Sequence, residues 1–219
     1  MLLFILSLEY SLMVVIIQKK EKADLEENNY AEDKSFVELG KGEPLKGELI
    51  ENRVIVFSHP LSNEFFERGY GKFLENRLEL SFVEGLYLVD KGKLIVTHKN
   101  KKLNFEELLK TANETDREIH TTYVVYKDLR ERGLTIKTGY KFGCHFRVYE
   151  RGVKIKRGPK EAHEHTKWIV HAVAEDYTCS FPELSRAVRL AHNIRAKMLW
   201  AIVDQENDVT YYQILRIKP

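Results

Sequence analysis

Cysteine is scarce in this chain. Cys144 and Cys179 are the only two in 219 residues; they are too few for a disulfide framework and do not stand at metal-ligand spacing, so a reduced, intracellular setting is expected. An excess of one charge is also missing. Lys and Arg number 35 against 33 Asp and Glu, a formal net charge of +2. No global field draws the chain to polyanions, and any such binding has to come from a local patch. A long apolar run is absent too. Met1 to Ile17 is largely apolar but carries Glu9, and it falls short of the roughly 20 residues a spanning helix needs. It has neither a basic leader nor a small-residue cleavage site. Its first twelve residues read as an extension without catalytic consequence, with no membrane partner and a cytoplasmic location expected for the chain. No internal repeat is evident.

What remains is an ordinary globular composition with 31% charged residues and length for two small domains around sizeable cores. Residues 18–46 are dense in charge and lack apolar periodicity, so residues 1–46 read as an extension and flexible lead-in. Order is expected from Gly47. Arg53–Phe57 and Leu94–Val96 read as strands, with a short alternating strand at Leu78, Leu80 and Phe82. Ser81-Phe-Val-Glu84 has capping-box spacing. Asn104 caps one helix, and a longer one runs from about Asp116 to Arg132, where Gly133 stops it. The expected division is an N-terminal domain over 47–115 and a C-terminal domain over 116–219. In the second half Thr135–Lys137, Cys144–Tyr149, Trp168–Val173, Leu199–Val203 and Val209–Ile217 read as strands. Ser180–Trp200 reads as one helix with Pro182 in its first turn. The fold class is α/β of the α+β type: two domains, each a mixed sheet with packed helices.

Several segments, in order, carry a family resemblance. They are Tyr126 to Gly133 (YKDLRERG), Lys137 to Gly143 (KTGYKFG), Phe146 to Gly152 (FRVYERG), His165 to Val170 (HTKWIV), Leu184 to His192 (LSRAVRLAH) and Asp208 to Tyr212 (DVTYY). The pattern closely resembles the archaeal tRNA-splicing endonucleases over about residues 47–219. The resemblance implies an enzyme that cuts precursor tRNA at bulge-helix-bulge exon–intron junctions without a cofactor or metal, leaving a 2′,3′-cyclic phosphate and a 5′-hydroxyl. It makes Tyr149 the general base on the ribose 2′-OH and His165 the acid on the departing oxygen. A lysine would face the phosphate, and at its position this chain has Ala196, with Lys197 next. Such chemistry needs acid and base on opposite sides of the phosphate and a fixed cation at its non-bridging oxygens.

Taken alone, Tyr149 is more commonly a packed aromatic, and His165 with His163 offers half of a metal pair, though the carboxylate and cysteine partners at metal spacing that would complete one are missing. Ala196 implies impaired cutting. Either it is an inactivating replacement, or the chain is a non-catalytic, RNA-holding subunit of the same enzyme; the retained Tyr149 and His165 favour the former. The resemblance further implies that Arg189 and Arg216 sandwich a bulged base, where guanidinium planes stack well. Lys137, Lys141, Arg147 and Lys154 would extend a positive face. The acidic loop with Asp204, Glu206 and Asp208 would dock on another subunit of a homotetramer.

Overall fold

The computed structural model describes residues 2–6, 13–20, 43–57, 59–140, 143–156, 158–159, 161 and 164–217. Contacts divide the chain into two compact units that interleave in sequence. A terminal unit holds Met1–Tyr30, Thr138–Tyr149 and His165–Pro219, and a central unit holds Ala31–Lys137 and Glu150–Glu164.

In the central unit six strands form one sheet: β3 (Leu45–Ile50), β4 (Arg53–Phe57), β5 (Lys72–Leu74), β6 (Arg77–Ser81), β7 (Leu94–His98) and β8 (Lys101–Leu103). Their order is β5-β6-β4-β3-β7-β8, with β3 parallel to β7 and the other neighbours antiparallel. Helix α1 (Ser62–Glu67) is short; α2 (Phe82–Asp90), α3 (Phe105–Thr115) and α4 (Ile119–Glu131) pack together. The expected strand at Leu78 and Leu80 stops one residue early, because Phe82 opens α2. There the Ser81 N–H and hydroxyl both donate to the Glu84 carboxylate, at 2.8 and 2.7 Å, a capping arrangement that turns the chain into a helix. Every residue of α2 from Phe82 to Leu88 is buried. Asn104 caps α3 by accepting from Glu107 N–H at 2.8 Å. Gly133, at φ +78°, ends α4, as a left-handed residue commonly does.

The terminal unit is built on β1 (Leu2–Leu6), β2 (Met13–Lys20), β10 (Phe146–Arg151), β11 (Trp168–Ala174), β12 (Lys197–Val203) and β13 (Val209–Ile214), with β9 (Leu134–Thr138) entering it at its last residue. The sheet order is β1-β2-β13-β12-β11-β10-β9. Only β11 and β12 run parallel among the registers observed, and the helix α5 (Phe181–Asn193) carries the chain between them. Its inner side, with Leu184, Ala187, Val188 and Ala191, packs on Ile169, Val173, Met198, Trp200 and Ile214. Among the described residues no helix is long and apolar enough to cross a membrane.

One sequence expectation needs correction. The helix expected over Ser180–Trp200 ends at Asn193, and Lys197 already belongs to β12. Arg195 adopts φ +57°, and the Arg195 and Ala196 N–H groups donate back to His192 and Ala191 carbonyls at 3.0 and 2.9 Å. This double closure satisfies the helix's last carbonyls and reverses the chain. β3 opens at Leu45, two residues ahead of Gly47, and β2, earlier in the chain, pairs with β13 from Gln18↔Gln213 to Lys20↔Tyr211. The compact units interleave in sequence rather than meeting at one point. The buried residues of α4, including Tyr123, Tyr126 and Leu129, pack with α2 and α3, so α4 belongs with the central unit.

Candidate active site

Strand register brings most of the expected residues to one end of the terminal sheet. β10 runs antiparallel to β11 with Val148 opposite Trp168, and β11 runs parallel to β12 with Trp168 beside Lys197. Across these three strands the Lys167 N–H donates to the Val148 carbonyl at 2.9 Å, and the Lys197 N–H donates to the Lys167 carbonyl at 2.9 Å. Tyr149 follows Val148, His165 lies two residues before Lys167, and Ala196 immediately precedes β12. β13 reaches the same end, since Ile214 pairs with Met198 and Arg216 follows shortly after. The C-terminus of α5 lies there as well, one turn from β12.

The faces are equally determined. Arg147 pairs with Ile169 and Ile169 with Met198, and both apolar partners sit in the core beneath α5. Tyr149, two residues beyond Arg147, therefore shares the α5 face. Ala196 packs against that same core. Lys197 pairs with Trp168 and is exposed on the opposite face. Strand alternation turns the Ala196 and Lys197 side chains to opposite sides, so Lys197 cannot stand in for a lysine at 196.

Tyr149 is only 2% exposed, while His165 is exposed in the bend before β11. Its sequence neighbour His163 lies outside the described residues, so the metal-pair reading falls there too; among the described residues no three potential ligands gather. Arg189 and Arg216, both exposed, line one pocket of about 510 Å³ together with Val188, His192 and Asn193. A larger cleft of about 820 Å³ beside Phe66 and Phe73 in the central unit contains none of the residues singled out from the sequence.

The acidic loop sits at the far end of β12, beyond the Val203↔Val209 pair. The length of β12 puts it about 20 Å from the Ala196 end. It is an ordered turn: Asp204 Oδ1 accepts the N–H groups of Glu206 and Asp208 at 3.0 and 2.9 Å. The expected positive face is only partly assembled. Lys137 donates to the Gly71 carbonyl and Lys154 pairs with Glu67 at 3.2 Å, both inside the central unit. Lys141 lies outside the described residues. Lys167, His192 and Asn193 were not singled out from the sequence; Lys167 stood two residues from His165 in a quoted motif, and only the register reveals its position.

Behind the site, His171 lies under α5 against the rings of His145 and Trp200, at 5.7 and 5.4 Å between centroids. His145 Nδ1 accepts the Ala172 N–H at 3.0 Å. Burial, aided by neighbouring His145, pushes the His171 imidazole down to about 4. Burial also raises the Cys144 thiol to about 12, so that thiol stays protonated and unreactive.

Two family models match the chain. Residues 45–109 match the tRNA intron endonuclease N-terminal domain, and residues 119–211 match the tRNA intron endonuclease catalytic C-terminal domain. The chain belongs to the tRNA intron endonuclease family. It is 43% identical over 148 residues to a tRNA-splicing endonuclease of Thermococcus gammatolerans, spanning 68% of this chain and 83% of that protein. A Thermococcus onnurineus tRNA-splicing endonuclease is 37% identical over 177 residues, 80% of this chain and 98% of its own length. One from Methanococcus maripaludis is 38% identical over 175 residues, 80% of this chain and 95% of that protein. The two family domains thus meet between residues 109 and 119 in sequence, whereas α4, though matched by the catalytic domain, packs in the central unit. The endonuclease match leaves β1 and β2 ahead of both matched regions.

Proposed function

We propose that this member of the family cleaves precursor tRNA at its exon–intron junctions by acid–base chemistry that uses no metal. Tyr149 takes the proton from the ribose 2′-OH, the 2′-oxygen attacks phosphorus, the bond to the 5′-oxygen breaks, and His165 protonates that oxygen. The products are a 2′,3′-cyclic phosphate and a 5′-hydroxyl. The observation that carries this reading is the register, which sets Tyr149, the His165 bend and the α5–β12 junction at one end of one sheet.

The nearby pocket supplies the substrate contacts. Arg189 and Arg216 would hold an unstacked base between guanidinium planes, and RNA is read chiefly through such exposed bases and shape. The substrate is then a precursor tRNA with a bulge-helix-bulge, met in the cytoplasm by a homotetramer whose Asp204–Asp208 turns make subunit contacts. At position 196 the side chain is a methyl packed on the core, so cutting is impaired unless another cation reaches the same phosphate. That methyl also favours a second reading, a non-catalytic subunit that only holds RNA.

The test is cleavage of an intron-containing precursor tRNA in excess chelator. The native chain is expected to cut and to leave ends that resist phosphatase until the cyclic phosphate is opened. Tyr149→Phe and His165→Ala should each slow the reaction by about 10²–10⁴. Unchanged rates in both variants would remove their roles, and a requirement for a specific metal would overturn the mechanism. Tight RNA binding with no cutting by the native chain or its Ala196→Lys variant would establish the RNA-holding reading.

A further inference from the structure

We propose that the cleft of the central unit holds an unstacked nucleobase of the RNA substrate, as a second base site separate from the Arg189–Arg216 pocket. The inference rests on the precursor-tRNA reading above and adds a place where that RNA is gripped.

Phe66 and Phe73 make an aromatic wall in the cleft of about 820 Å³, with 5.2 Å between ring centroids and 52° between planes. Both residues are half-buried. Proteins hold unpaired bases on such rings, because every base offers a π-face. Polar groups suited to a base edge line the same cleft. Asn63 and Asn76 are exposed there, and each carboxamide both donates and accepts. His59 Nδ1 accepts the Leu61 N–H at 3.2 Å, so the neutral ring carries its proton on Nε2 and offers a donor. Ser62 is only 5% exposed, and its hydroxyl has no hydrogen-bond partner among the described residues. A buried hydroxyl left unpaired is unfavourable. This residue lines the cleft, where a base nitrogen or carbonyl can satisfy it.

The charge of the lining separates a base from a phosphate. Among the described lining residues Glu75 is the only carboxylate, and none is Lys or Arg. A phosphate would meet no cation there and would face Glu75, whereas a neutral base meets no such repulsion. The walls are also set before anything binds. The Ser62 N–H donates to the His59 carbonyl at 3.0 Å and holds the turn into α1. Leu74 pairs with Arg77 across the Glu75–Asn76 turn, which Glu75 opens at φ +54°. Pre-formed walls lower the ordering cost of binding.

The experiment measures precursor-tRNA affinity over a range of salt for the native chain, Asn63→Ala with Asn76→Ala, Phe66→Leu with Phe73→Leu, and Arg189→Ala. Asn63 and Asn76 are exposed, so the amide pair leaves the core untouched even if the ring pair disturbs folding. The ring pair should weaken binding at least about fivefold, and the amide pair at least about threefold. The slope of log affinity against log salt should stay native in both, because no phosphate contact is lost. Combined with Arg189→Ala, the losses should multiply, since the two pockets share no lining residue. Adenosine and guanosine are titrated alone as the other source of a base, and both should bind more weakly than the precursor. Native affinity in the amide pair overturns the proposal, as does an altered salt slope in that pair. Tighter binding of either free nucleoside than of RNA also overturns it. Weakened binding in Arg189→Ala with native affinity in both cleft pairs sinks the cleft site alone. A native chain that does not bind precursor tRNA sinks the substrate reading with it.

Discussion

At the scale of single residues, Ala196 shows how a helix terminus decides what a side chain can reach. Its N–H closes the turn back to Ala191, its methyl lies on the core, and the next residue is already in a strand. The paired arginines are also placed by element ends: α5 brings Arg189 and the chain just past β13 brings Arg216 to one pocket. A base stacked between them, as proposed, would be worth about 1–3 kcal/mol. Arg189→Ala and Arg216→Ala should therefore each weaken precursor-tRNA binding by about 5–150-fold. If both planes grip one base, the double variant should weaken it by less than the product. Titration at constant salt checks this, since phosphate contacts make any RNA affinity salt-dependent. Unaltered affinity in both single variants would return the two arginines to ordinary surface charges.

At the scale of elements, α5 and β11 together create a pH-sensitive interior. His171 is held neutral beneath the helix, with His145, Trp200 and, through Trp200, Tyr177 about it. Its folded value of about 4 lies below the unfolded value of about 6.5. The unfolded chain thus binds the extra proton between those values. Stability from this group is fully present above about pH 6.5 and is lost as pH falls towards 4, by at most roughly 3 kcal/mol. Denaturant midpoints of the native chain and His171→Asn should converge between about pH 7 and about pH 4.5, as the native chain loses this contribution and the variant does not. Parallel midpoints at both pH values would show that His171 contributes no linkage. Much about these elements was legible in advance. Ser180 with Pro182, Asn104, and Ser81 with Glu84 each mark a helix start by local hydrogen-bonding chemistry. The end of α5 was not legible, because Arg195 is an unusual left-handed residue where glycine is the common signal. The cationic, apolar-spaced stretch beyond it keeps a helical look.

At the scale of the whole molecule, the two ends of the terminal sheet are expected to serve different purposes. The Ala196 end gathers the candidate chemistry, and the opposite end presents Asp204, Glu206 and Asp208. Exchanging both aspartates for asparagine and the glutamate for glutamine removes every one of these charges but keeps the Oδ1 acceptor that orders the turn. If the turn binds a basic pocket on another subunit, this Asp204→Asn, Glu206→Gln, Asp208→Asn chain should sediment as smaller assemblies than the native chain at moderate salt. An unchanged assembly would remove the turn from the subunit contact.

The sequence by itself determined the family, both matched domains, the mixed-sheet architecture, and which tyrosine, histidine and arginines were candidates for the site. These are carried by short motifs and local periodicity, which survive without knowledge of distant contacts. Only the tertiary structure decided that α4 packs outside the unit holding Tyr149 and that Ala196 and Lys197 face opposite ways. Each of these depends on pairing between segments far apart in the chain. Such pairing sets a side chain's face by strand register, and a shift of one residue would reverse it.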